Sequence, residues 1–165
     1  MPTTLPVPIE FRLPEGWLPA RPEGVADPGV AFAAVHPHPD AGFAANITVD
    51  GGLPLDGVTL ADLADASARR LDEVAESVTV TDRREVGSVD APALTQRLAF
   101  SALVGQARRD LVQSQVYLSL VDVEDPHRRA LIRLALTATA ARHDAVLPDF
   151  QEFVRTVRAD TTAEA

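Results

Sequence analysis

The chain contains no cysteine and no lysine. The first absence removes thiol nucleophiles, disulfides, zinc–thiolate sites and iron–sulfur ligation, and it fits a reducing compartment. The second removes Schiff-base chemistry and the lysine of a phosphate-binding loop. Aromatic residues are scarce: Trp17 and Tyr117 are each the sole residue of their type. No apolar run approaches the roughly 20 residues that a membrane span requires. Positive charge is also short, with 15 arginines against 24 acidic residues and a formal net charge of −9. That balance argues against nucleic acid and anionic membrane as partners, since both need a basic surface. The segment Met1-Pro2-Thr3-Thr4 has neither the basic nor the apolar region of a signal peptide, so the expected location is the cytoplasm.

A length of 165 residues fits one domain. Such a domain buries enough apolar surface to need no metal or disulfide staple. Residues 1–8 hold three prolines and are expected as an extended arm. The single α+β domain is expected over 9–158, with a frayed tail over 159–165. Ile9 to Trp17 reads as a short strand stopped by Pro14 and Gly16, with Trp17 as a core anchor. Arg21 to Gly29 is rich in proline and glycine and reads as a loop. Two short strands follow, Val30 to Val35 and Gly42 to Val49, joined by a turn containing His36, His38 and Asp40.

The clearest helix begins at Thr59, with Asp62 completing a capping box. Leu60, Leu63, Ala64, Ser67, Leu71, Val74 and Ala75 fall on one face at helical spacing. From Val78 to Thr139 the period changes to two, which predicts half-buried antiparallel strands separated by short turns. A last helix starts near Asp144, tolerates Pro148 close to its first turn, and presents Val146, Phe150, Phe153, Val154 and Val157 as an apolar stripe. The expected fold is therefore one antiparallel sheet of about six strands with two helices packed on its apolar face. A three-layer sandwich, with one helix on each face, is the alternative.

No motif for catalysis is present. There is no G-x-S-x-G elbow and no glycine-rich phosphate loop around Gly51-Gly52. His36 and His38 lack the converging ligands of a metal site, and His127 and His143 read as solvent-exposed. The carboxylates look like caps and solvated faces. We expect no enzymatic activity, no metal and no cofactor. The constellation with most to offer is the polar side of the strand block: Thr79, Thr81, Thr95, Arg97, Ser101, Gln113, Gln115, Tyr117, Arg129 and Arg133. Arginine and tyrosine are favoured at interfaces, since each joins a broad planar surface to directed donors. Arg97, Gln113, Gln115, Tyr117, Arg129 and Arg133 are the candidate partner-binding residues. The plainer reading of the same residues is the wet side of an antiparallel sheet.

The opening Phe11-Arg12-Leu13-Pro14-Glu15-Gly16-Trp17 resembles the PsbP-like superfamily. So do the order of elements and the closing segments Ala130 to Thr139 and Leu147-Pro148-Asp149-Phe150. Within that superfamily the chain resembles the actinobacterial LpqN/LpqT lipoprotein group, but it lacks their signal peptide and lipobox cysteine. The superfamily includes a photosystem subunit, a Ran-binding import factor and chaperones for secretion effectors. The resemblance implies a PsbP-like fold and a non-enzymatic protein-binding role, adaptor or chaperone-like, with a protein partner, and the departure from the lipoproteins leads us to expect no membrane anchor. The alternative functions are a small-ligand carrier or weak enzyme with a pocket between sheet and helices, and a homodimer formed through the sheet face.

Overall fold

The computed structural model describes residues 9–20, 30–39, 42–52, 57–87, 92–104, 106–121 and 129–159. The expected arm over 1–8, the loop over 21–29, His127 and residues 160–165 lie outside them. The elements run in the order β1 (Ile9–Glu10), β2 (Leu18–Ala20), β3 (Val30–Val35), β4 (Asn46–Gly52), α1 (Leu60–Val74), β5 (Glu76–Gly87), β6 (Pro92–Val104), β7 (Ala107–Val121), β8 (Arg129–Thr139), α2 (His143–Thr156) and β9 (Arg158–Ala159). Among the described residues the main sheet has seven strands, in the order β2-β3-β4-β8-β7-β6-β5. Every pairing in it is antiparallel. The count is one more than the alternation suggests, because the short β2 joins the edge.

The local chemistry of α1 is as expected. The Thr59 hydroxyl accepts from the Asp62 N–H at 3.0 Å, and the Asp62 carboxylate accepts from the Thr59 N–H at 2.9 Å. Two donors that the first turn leaves over are thereby satisfied reciprocally. Ala64 and Ser67 are buried, but Val74, placed on the apolar stripe by spacing alone, is 80% exposed. The helix ends there and the chain reverses through Ser77, which has a positive φ of 58°.

The helix α2 begins one residue earlier than its sequence suggests. Arg142 occupies the capping position with no side-chain capping bond, and Asp144 lies inside the first turn. The helix is held instead by tertiary contacts. Val146, Phe150 and Phe153 are buried against Ile47, Val49, Ile132, Leu134 and Leu136. Trp17 is buried at the same site and donates its indole N–H to the Asp149 carboxylate at 3.0 Å. It reaches that position because Gly16, at φ 88°, allows a turn closed by Trp17 N–H donating to the Pro14 carbonyl. Ala159, expected in a frayed tail, pairs with Ile9, so β9 and β1 form a small second sheet.

The two helices lie on opposite faces of the sheet. Ile132, Leu134 and Leu136 face α2 together with their register partners on β7, Leu118, Val116 and Ser114, whereas the alternate β7 residues Gln113, Gln115 and Tyr117, paired with Thr137, Ala135 and Arg133, face α1. The three-layer alternative is therefore the observed one. The reason lies in hairpin register. The pair Val104–Ala107 closes the β6–β7 hairpin and forces each even-numbered residue of β6 opposite an odd-numbered residue of β7. Leu94 faces the same way as Tyr117, and Leu98 the same way as Gln113, while Thr95 and Arg97 turn to the other side with Val116 and Ser114. Each face thus mixes apolar and polar residues, and each can hold a helix.

Candidate functional site

The candidate residues do not form one surface. Gln113, Gln115, Tyr117 and Arg133 lie beneath α1, where they belong to a polar layer between helix and sheet. Gln115 is 1% exposed and Gln96 is 2% exposed. The Gln96 amide donates to the Ala64 carbonyl at 3.1 Å and to the Gln115 side-chain oxygen at 2.7 Å. The Gln115 amide donates to the Ser67 hydroxyl at 2.9 Å and also to the Gln113 side-chain oxygen. Tyr117 donates to the Gln115 oxygen at 3.0 Å, and Gln113 donates to the Thr137 hydroxyl at 2.8 Å. Burial holds the Tyr117 hydroxyl above its ordinary pKa, so it remains a neutral donor.

Two arginines close the ends of this layer. Arg133 donates to the Ser67 hydroxyl at 2.9 Å and pairs with Asp50 at 2.9 Å. Arg83 donates twice to the Gln96 oxygen and pairs with Asp65 at 2.7 Å. A polar layer bonded through this many side chains fixes the seat of α1, because each group left unpaired in low dielectric costs free energy. The expectation that these four residues form an outward docking face is corrected by their burial. Arg129 stands apart at the start of β8, exposed, donating to the Ser119 hydroxyl at 3.2 Å.

Arg97 is on the opposite face, in a different environment. There α2 packs over β8, and the adjoining faces of β5, β6 and β7 remain partly open. The result is a groove of about 460 Å³. Its floor includes Asp82, Val86, Ala93, Thr95, Arg97, Ser114, Val116 and Leu118, and its wall is Leu147, Phe150, Gln151, Val154 and Arg155 of α2. Val86 is 46% exposed there. Neither Arg155 nor the apolar wall is legible as a site in the sequence, since Phe150 and Val154 read as ordinary core. A smaller recess of about 200 Å³ on the α1 side includes Arg70, Tyr117, Arg133 and Gly51-Gly52.

His143, expected in solvent, is 2% exposed. Its Nε2 lies 2.8 Å from the Ser114 hydroxyl oxygen and its Nδ1 lies 3.3 Å from the Asp144 carboxylate. Burial holds the imidazole below its ordinary value of 6.5, with the Arg97 charge acting in the same direction and Asp144 opposing both. The contact ties the first residue of α2 to the middle of β7. His36 is half-buried against the Trp17 ring at 5.3 Å, and His38 is exposed. Among the described residues no group of three or more His, Asp and Glu side chains gathers as metal ligands. Among them, too, no helix is long and apolar enough to cross a membrane.

These features define a class: a three-layer α+β domain with one closed sheet face and one grooved face. No protein-family model matches the chain, and no curated protein matches it in sequence. Solved structures do match its fold. LpqN of Mycobacterium tuberculosis, involved in cell envelope biogenesis, superposes with a TM-score of 0.61 at 12% identity, over 91% of this chain and 82% of that one. The PsbP protein of the cyanobacterium Synechocystis gives 0.59 at 20% identity, over 92% and 86%. The Ran-binding protein Mog1p of Saccharomyces cerevisiae gives 0.61 at 16% identity, over 92% and 89%. The chain has the PsbP-like fold, as its opening segment and element order suggest.

Proposed function

We propose that the chain is a non-enzymatic protein-binding module, adaptor or chaperone-like, that receives its partner in the groove between α2 and strands β5–β7. The observation that carries this reading is the asymmetry of β6 and β7. Alternate residues on the same strands are sealed beneath α1 on one side and open into the groove on the other. A concave strip of Val86, Val116 and Leu118 that is only partly covered is the kind of surface that marks an interaction site. The Ran-binding neighbour, a protein that engages a protein on this fold, agrees with that reading.

The alternative, a weak enzyme, takes support from the Ser114–His143–Asp144 series, in which a hydroxyl, an imidazole and a carboxylate stand in line. Two features weigh against it. Ser114 sits mid-strand between Arg97 of β6 and Leu136 of β8, where ladder bonds engage the backbone N–H groups that an oxyanion needs. Asp144 is 91% exposed, so water competes for the carboxylate that should orient the imidazole. A clasp between helix and sheet accounts for the same contacts. The test is capture of native partners by the wild-type chain and by Val86→Glu with Leu118→Gln. Loss of capture with an unchanged circular-dichroism spectrum is expected. Retention of every wild-type partner overturns the reading, and labelling of Ser114 by a fluorophosphonate favours the enzyme.

A further inference from the structure

The groove carries positive charge on a strongly acidic chain. Arg97 is half-buried on its floor and Arg155 stands on its wall. Among the described residues neither guanidinium forms an ion pair or a side-chain hydrogen bond. Arg69, Arg70 and Arg142 also lack a carboxylate partner among the described residues, and what sets Arg97 and Arg155 apart is that both line one groove. Arg83, Arg84, Arg108, Arg133 and Arg158 each pair with a carboxylate. Asp82 lies across the ladder from Arg97, but its carboxylate turns to Arg84 at 3.6 Å. A groove cation with no counter-charge of its own is available to a ligand carboxylate, which would meet it with a charge-assisted pair. The strip between the arginines is apolar, formed by Val86, Val116, Leu118 and Val154.

Resting on the reading of the groove as the docking site, we infer that the partner presents a segment with apolar side chains on one side and carboxylates flanking them. The apolar side chains fill the strip, and the carboxylates pair with Arg97 and Arg155. Arginine suits this task, because its planar fork meets a carboxylate with two parallel bonds. The net charge of −9 makes the preference selective. The chain as a whole repels an acidic segment, so the attraction has to come from the local positive charge of the groove.

The experiment uses three labelled peptides of identical apolar composition, with the charged positions all Glu, all Gln or all Lys. Their binding to the full chain is followed by fluorescence anisotropy and by amide chemical shifts. The Glu peptide is expected to bind at least about tenfold more tightly than the Gln peptide, with Arg97→Gln removing that advantage. Added salt weakens it as well. Arg155→Gln, on an exposed helix position, repeats the test if Arg97→Gln perturbs folding. Equal binding of all three peptides, with shifts confined to the groove, overturns the acidic preference and leaves the groove as a docking site. Binding of none, with no shifts at Val86, Val116 or Leu118, overturns both. Preference for the Lys peptide overturns the inference in favour of the chain's overall charge.

Discussion

The two faces of the sheet solve the same packing problem in different ways. The α1 face is closed by hydrogen bonds: Gln96, Gln113, Gln115, Ser67, Tyr117 and Arg133 form a bonded layer, flanked by small apolar clusters around Leu94 and Leu98. The α2 face is closed by apolar contact over β8 and β4, then stops, leaving β5–β7 partly bare. Directional bonds fix one position for a helix, since each partner must be met. Apolar contact sets no such limit, so one sheet face carries both a core and a groove. The closed face is the structural one, and polar residues are its means of closure. Polarity on a strand is therefore no guide to exposure in this protein.

Substitutions that treat the two faces separately test that contrast. The largest effect is expected at the apolar core: Phe153→Ala should cost about 3–5 kcal/mol in a urea titration. Next comes the polar layer. Gln115→Ala leaves the Ser67, Gln96 and Tyr117 groups short of partners, and a loss of about 1–3 kcal/mol is expected. A loss below about 0.5 kcal/mol, the range of ordinary surface changes, would return these residues to the role of a docking face. The arginines give the sharpest pair. Arg133→Gln removes an ion pair from the half-buried Asp50 and a charged donor from Ser67, and should cost about 1–3 kcal/mol. Arg97→Gln, in the open groove, should change stability by no more than about 0.5 kcal/mol. Equal costs would erase the distinction between faces.

Two smaller effects sharpen the picture at the helix ends. Ser77→Gly, at a φ of 58°, should stabilise by a few tenths to about 1 kcal/mol by relieving left-handed strain. The His143 clasp should make stability depend on pH. Burial lowers the imidazole's folded pKa below 6.5, so the unfolded chain binds the proton more readily. The clasp's contribution is complete above the unfolded pKa and is lost as pH falls toward the folded one. Melting temperatures across that window should flatten in His143→Gln, and an unchanged slope would show that the ring is not titrating there.

Much of the fold is legible without coordinates. The Thr59–Asp62 box, the turn at Gly16 and the period-two strands each rest on neighbours a few residues apart, so local chemistry suffices. The site is less so. Thr95 and Arg97 alternate with Leu94 and Leu98, as Gln113 and Gln115 do with Val112 and Val116, and the two patterns read as one polar side. Only the register of the β6–β7 hairpin reveals that they belong to opposite sides. His143 misleads for a related reason: it opens a helix after a turn, where rings are commonly wet, and its partner Ser114 is 29 residues away.

The amino-acid order by itself determined the two helices, the α1 capping box and the long period-two strands, because each depends on residue type and short-range spacing. Tertiary structure alone decided which polar residues glue a helix and which arginines line the groove. Those outcomes depend on strand register and on the side of the sheet each helix takes, and both are set by contacts between segments distant along the chain.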